Sequence, residues 1–367
     1  MAEVKKALAL DIGAGTQDIL LFDAGKSLEN CVKMVLPSPG VLLAKKIREL
    51  DDPLVEKGLF VGGHTVGGGA FSRAIKERLS AGARVFMSRE AAFSLRNSLA
   101  DVEAMGVEVV EGPPPGFAGV YVDADELDLG PLRGLLRSVG EDLEGLDAAA
   151  VAVQDHGTYL PGESNRKTRL AHMRRRLEAD PDPLSLSFLE GEIPETFPRM
   201  VSAARRLREQ LSCGHILVMD TAPAAVAGCL ADRRVAERAA GNLLLINAGN
   251  GHTLACITSN GMVTAVLEHH TKKLEPRSFA AYLADFCEGR ARDEDEFMAA
   301  GHGLFYLQDP PGLGGIDLIA VTGPNRGLLE GTGLDIHYPS PGGDMMMTGP
   351  LGLVRAVLHR FEGHPNI

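Results

Sequence analysis

The strongest constraint on this chain is a pattern written twice. Leu8-Ala-Leu-Asp-Ile-Gly-Ala-Gly-Thr16 and Leu244-Leu-Ile-Asn-Ala-Gly-Asn-Gly-His-Thr253 share one grammar, with Asp11 and Asn247 standing 236 positions apart. Each has an apolar run, a small polar residue, a Gly-x-Gly turn, a threonine and a second apolar run, Ile19–Phe22 or Leu254–Ile257. Glycine loops of the dinucleotide and P-loop kinds lead into a helix whose N-terminus meets phosphate. Strands follow here instead, so each turn is the tip of a β-hairpin. Gly13, Gly15, Gly249 and Gly251 serve the turns, with Ala14, Thr16, Asn250, His252 and Thr253 beside them. Two such tips facing each other would offer backbone N–H groups to a phosphate chain from both sides. The 43 glycines in 367 residues show no Gly-X-Y period, which points to tight turns rather than a fibre.

Around the repeated hairpins the chain reads as two α/β halves. Lys6–Leu10, Asp18–Phe22 and Cys31–Leu36 have strand character, and Val41–Leu50 has helical periodicity. Leu59–Val61 is a short strand entering the glycine-rich loop Gly62–Gly69, and Phe71–Ser80 and Glu90–Met105 read as helices. Leu146–Val153 is a buried strand ending at Gln154-Asp155-His156-Gly157. Residues 164–211 are charged and helical, broken at Asp180-Pro-Asp-Pro183, and then the pattern restarts. Strands are expected at His215–Met219, Asn242–Ile246, Leu254–Thr258 and Ile316–Val321, a small-residue helix at Ala222–Leu230, and a last helix from Met347. The expected organisation is an N-terminal domain 1–163 with an insertion at about 62–130, a connecting helical segment 164–212, and a C-terminal domain 213–367 with an insertion at about 265–312.

Composition excludes several classes. The formal charge is −12 and Trp is absent, which argues against a nucleic-acid partner. No apolar run approaches the ~20 residues that span a bilayer. The five cysteines contain no CxxC or CxxxCxxC, so neither a zinc knuckle nor a cysteine-held iron–sulfur cluster is written. Scattered thiols suit a reducing cytoplasm, the expected location.

Several polar residues stand where chemistry is expected. Gln154, Asp155 and His156 end a buried strand, where one of them would position or deprotonate a nucleophile, with Asp155 the favoured base. Asp11 ends the first strand and suits the magnesium side of a phosphate site. Asp220 precedes a helix and is equally suited to capping it. His64 lies in the Gly62–Gly69 loop, and His252 interrupts the second hairpin tip where a terminal phosphate would lie. His269, His270 and His302 have no spacing diagnostic of a metal site.

These motifs resemble the superfamily of actin, sugar-kinase and heat-shock-chaperone ATPases, which implies two ribonuclease-H-like domains around a nucleotide cleft. Asp11–Thr16 is similar to the first phosphate loop and Asn247–Thr253 to the second. Val153-Gln-Asp-His-Gly157 resembles the first interdomain connection of carbohydrate kinases, and Asp220–Gly228 a chaperone segment that precedes the second loop. Ile319–Arg326 resembles the adenosine motif, and Thr348–Ala356 the second connecting helix. The resemblance implies ATP and magnesium as cofactors. Asp11 and Asp220 would face the metal, and Gly323, Pro324 and Arg326 the adenine end. A small-molecule or protein acceptor would sit near Gly62–Gly69 and His156. Within the superfamily the chain looks closest to a prokaryotic family filed as pyruvate formate-lyase activating proteins; the missing CxxxCxxC argues against radical chemistry. The superfamily's second loop begins with Asp where this chain has Asn247, which cannot accept a proton. Two functions follow: a magnesium-dependent phosphotransferase or ATPase, and a nucleotide-gated regulatory or activator protein with little or no turnover.

Overall fold

The computed structural model describes residues 3–158 and 165–363, so the expected domain boundary at 163–164 lies outside the described residues. Strands β1 (Lys6–Ile12), β2 (Thr16–Asp23) and β3 (Val32–Pro37) form an antiparallel meander. An inserted unit contributes β4 (Leu59–Gly63), β5 (Val85–Ser88), β6 (Val107–Val110) and β7 (Val120–Ala124). The chain returns as β8 (Ala148–Val153), then β9 (Phe188–Leu189) and β10 (His215–Met219), completing a sheet ordered β3-β2-β1-β8-β10-β9. The second half gives β11 (Asn242–Ala248), β12 (His252–Ser259), β13 (Met262–His270), β14 (Gly301–Tyr306), β15 (Leu318–Thr322) and β16 (Ile336–His337). Their order is β14-β13-β12-β11-β15-β16. In both sheets a three-strand antiparallel meander continues into parallel strands beside its first member. This is the strand order of two ribonuclease-H-like lobes, the actin-like α/β fold.

The two hairpins match in register as well as in wording. Lys6 pairs with Asp23 and Ile12 with Gln17; Asn242 pairs with Ser259 and Ala248 with Thr253. Gly13 N–H donates to the Thr16 carbonyl at 2.9 Å, and Gly249 N–H to the His252 carbonyl at 3.0 Å. The structural counterpart of Thr16 is therefore His252. Thr253, which the wording set against Thr16, lies one residue further along and turns into the interior.

Alternation along the strands separates two faces. Ala7, Ala9, Ala148, Ala150 and Ala152 join the core between the sheets, whereas Leu8, Leu10, Ile12, Val151 and Val153 join a second core on the far side. Small residues face inward because two helices must fit there. The Thr221–Cys229 helix, arriving from β10, packs on β11, β12 and β15, and the Thr348–Glu362 helix packs back on β1, β2 and β8. They cross where Gly228 meets Gly352. A Cβ on Gly228 would overlap the Thr348 carbonyl oxygen, and one on Gly352 the Ala224 carbonyl oxygen.

The inserted unit is a parallel four-stranded sheet ordered β6-β5-β4-β7 with its own core, including Phe71, Ile75 and Met87. Sequence reading missed β5, β6 and β7, which are four or five residues long and too short to show a period. It also read residues 90–105 as one helix. The chain instead forms Arg89–Ala92 and Leu99–Ala104, with Ser98 capping the second, and a loop between them.

Gly352→Val is expected to destabilise the protein by about 3 kcal/mol, because backbone on both sides blocks relaxation. Gly134→Ala, in the Gly130–Ser138 helix with open space around it, should instead stabilise by about 0.5–1 kcal/mol. Urea unfolding of the two variants checks the contrast.

Candidate functional site

Between the lobes lies a cavity of about 400 Å³, within the range of small-molecule sites. Both hairpin tips line it, through Gly13, Ala14 and Thr16 on one side and Gly249, Asn250, Gly251 and His252 on the other. Gly15 faces the opposite tip: a Cβ there would lie 2.7 Å from the Asn250 amide nitrogen. Neighbouring donors hold the tip carbonyls. Ser38 Oγ donates to Ala14 O, Ser38 N–H to Gly15 O, and Asn325 Nδ2 and Thr271 Oγ1 to Gly249 O. Because a trans peptide sets its N–H opposite its carbonyl, the Gly15 and Asn250 N–H groups point away from these anchors. Among the described residues neither donates to a protein acceptor.

Asp11 and Asp18 face each other in the register of β1 and β2, and both line the cavity. Asp11 Oδ1 and Asp18 Oδ1 are buried without a hydrogen-bond partner. Burial, then the charges of Asp18 and Asp220, raises the Asp11 carboxyl well above the usual carboxylate range. Burial likewise raises Asp18 to about 7, against a hydrogen bond from Thr16. Asp11 also packs on the start of the Thr348–Glu362 helix, where a Cβ at Gly349 would overlap its carboxylate. Two buried carboxylate oxygens lacking donors suit a hard divalent cation, so these residues fit magnesium.

Gln154, Asp155 and His156 all line the cavity. Asp155 Oδ1 accepts from Gly157 N–H at 2.9 Å, and Oδ2 from the N–H groups of Arg199 and Met200 at 2.7 and 3.2 Å. Burial outweighs these bonds and raises its carboxyl to about 6. Burial, then the Arg169 charge, lowers His156 to about 4; burial, then His156 and His302, lowers His252 further. Arg199 grips Glu126 with two bonds, at 2.6 and 2.9 Å, and donates to the Gln154 carbonyl, while Glu126 accepts from Gly67 N–H. The inserted unit is thereby tied to the ends of β1 and β8.

Other expected residues stand elsewhere. Both Asp220 oxygens are taken by Arg169, at 2.6 and 2.7 Å, and Oδ1 also caps Ala222 N–H. Arg169 continues to Glu268, so this carboxylate is held in a buried ion triad rather than on the cavity wall. Thr253 is buried, its hydroxyl paired with Thr271 at 3.0 Å. Pro324 lines the cavity, whereas Gly323 lies behind it with φ of 94°, its N–H meeting Met345 Sδ, and Arg326 begins a short 3₁₀ turn outside. His64 is bound by Glu90 and Arg205.

Sequence reading missed Arg199, Glu126 and Asp18, which carry no local motif. It also missed the wall segment Phe93–Asn97, hidden inside a supposed helix. The one available signal for Asp18 was a carboxylate placed directly before the apolar run Ile19–Phe22 of its strand.

The family profile described as "Putative pyruvate format-lyase activating enzyme (DUF1786)" matches residues 66–328, most of the chain. The chain belongs to this family. The activity in that description would need clustered thiolates, and the residues present do not fit one: Cys31, Cys213, Cys229, Cys256 and Cys287 are separately buried. Burial pushes Cys256 and Cys287 up to about 12. A search of curated proteins finds no match. Among solved structures, the ethanolamine utilization protein EutJ from Carboxydothermus hydrogenoformans is 11% identical, with 96% of this chain and 90% of that one covered and a TM-score of 0.35. The PilM–PilN type IV pilus biogenesis complex gives 13% identity, 96% and 98% coverage and a TM-score of 0.40. MreB5 of Spiroplasma citri bound to AMPPNP gives 10%, 99% and 99%, and 0.34. Strand order, not these distant likenesses, carries the fold.

The Asp18 carboxyl binds its proton more tightly folded (about 7) than unfolded (3.8). Its contribution to stability is thus complete below pH 3.8 and is lost as pH rises through about 7. Asp18→Asn should raise stability at pH 8 without magnesium, by up to about 4 kcal/mol, and have little effect at pH 4. Chemical denaturation at the two pH values tests this.

Proposed function

We propose that the cleft binds ATP with magnesium and passes the terminal phosphoryl group to water or to an acceptor. The observation that carries this reading is the pair of register-matched hairpins whose tips oppose each other across a cavity holding two buried, donorless carboxylate oxygens. Backbone N–H groups at Gly15 and Asn250 would hold phosphate oxygens, and Asp11 with Asp18 would hold magnesium. When bound, magnesium would neutralise charge on the phosphate chain. Pro324 would border the nucleoside, and the acceptor would lie at the far end, against Thr65–Ala70 and Phe93–Asn97 of the inserted unit. In the transfer, the acceptor oxygen would bond to the terminal phosphorus as the bond to the ADP oxygen breaks. The acceptor proton would pass to Asp155, whose raised carboxyl suits a base near neutral pH.

Isothermal titration with Mg-ATP should show binding, and none at millimolar nucleotide would sink the reading. Asp11→Asn is expected to weaken Mg-ATP binding. Asp155→Asn should leave binding within a few-fold and lower phosphate release by roughly 10²–10⁴; an exchange of the two phenotypes would overturn the assignment.

Two observations favour a second reading, a nucleotide-gated regulator with little turnover. Asn247 lines the cavity at the position matching Asp11, and Asp155 is already bonded by three N–H groups. On this reading wild-type phosphate release is slow and Asn247→Asp accelerates it. Wild-type turnover of tens per second, ordinary for kinases, would exclude the regulator.

A further inference from the structure

Four histidines from four separate segments meet beside the cleft, and two of them, His156 and His252, line its cavity. His156 follows β8 in the first lobe, while His252 opens β12, His270 ends β13 and His302 lies in β14 of the second. Ring centroids are 5.1 Å apart for His156–His252, 5.3 Å for His156–His302 and 4.5 Å for His252–His302. His270 packs on His252 and His302 at 4.9 and 4.4 Å. One candidate ligand nitrogen from each of His156, His252 and His302 lies within 4.8 Å of the other two.

The backbone is built to make this meeting. His252 pairs with His270 across β12 and β13. Between β13 and β14 the register jumps from Glu268–Gly303 to His269–Gly301, which leaves His302 as the extra residue of a bulge. Bulges re-aim side chains at the cost of ladder pairing. Gly303, at φ of 137°, accepts a backbone conformation that few other residues would. The neighbouring shell also orients His252. Gln154 Nε2 is directed at Glu268 Oε1, at 3.4 Å, so its Oε1 faces His252 Nδ1 at 2.7 Å. An amide oxygen only accepts, so Nδ1 carries the proton and Nε2 keeps the lone pair. A hydrogen-bond partner on one ring nitrogen is the usual device for presenting the other to a metal.

We propose that His156, His252 and His302 bind a divalent first-row transition metal such as zinc, cobalt or iron(II), with His270 packed behind. Imidazole nitrogen suits these metals. Zinc–nitrogen bonds of about 2.0–2.1 Å set tetrahedral ligands about 3.4 Å apart, so three rings whose nitrogens lie within 4.8 Å of one another would close on the ion. The ion joins the two lobes, since His156 comes from one and His252 and His302 from the other. Its open position faces the cavity, which His156 and His252 line. This site does not depend on the nucleotide reading, because its ligands are separate from Asp11 and Asp18.

The test uses the full chain, stripped with a chelator and titrated with Co²⁺ in the absence of nucleotide. The expected result is a saturable visible d–d absorption band that Zn²⁺ abolishes. Gln154→Ala should weaken Co²⁺ binding by about 10–100-fold, and His252→Ala or His302→Gln by at least as much. Asp11→Asn should leave the band intact. Circular dichroism identifies any variant that fails to fold, and the two histidine substitutions on different strands provide for that case. The proposal is overturned by the absence of a band, by a band that folded His252 and His302 variants retain, or by a band that disappears with Asp11→Asn.

Discussion

Gly228 and Gly352 allow two helices to cross at backbone contact, and the cleft takes its geometry from that crossing. Each helix leaves one lobe and packs on the other lobe's sheet, so the two sheets are held at a separation set by the helix pair. The alanines on the inward face of β1 and β8 follow from the same requirement, since larger side chains would push the helices away. Close packing of this kind transmits position faithfully, because interiors relax only partially. The start of the final helix lands on Asp11, so one packing solution places both the lobes and the carboxylate.

Around that crossing, charge is used to join segments distant in sequence. Arg169, only 4% exposed, links Asp220 at the end of β10 to Glu268 on β13, which is fully buried. Such a triad holds only when each member is satisfied, because an unpaired buried charge costs about 3–5 kcal/mol. Glu268 also receives Gln154, which holds His252. A single chain of contacts therefore runs from the ion triad to His252 on the cavity wall. Arg199 and Glu126 do similar work between the inserted unit and the first lobe. At Asp11 and Asp18 the protein instead buries the carboxylates and leaves an oxygen on each without a donor, as expected where a ligand completes the site.

Much of this was legible in the sequence because it is local. Strand, turn and strand are written in consecutive residues, and a repeat at constant spacing implies a repeated fold. The hairpin tips, Asp11 and the Gln154–His156 triplet all lie on the cavity as the motifs suggested. Asp220 illustrates the limit. Its place before a helix was readable, but the arginine that occupies it lies 51 residues away, and nothing local marks the pair. The short parallel strands β5 and β6 went unread because four residues cannot establish a period.

The sequence by itself determined two hairpins of equal wording, their glycine tips and the alternation that gives each sheet two faces, since these depend on neighbours two to four residues apart. Tertiary structure alone decided which polar side chains meet. His156, His252 and His302 are gathered by an interlobe packing and a β-bulge, and neither has a sequence signature. It also decided that Thr253 turns inward and His252 takes the place matching Thr16. A strand's side chains change face with every residue, so a register of one decides which group reaches the cleft.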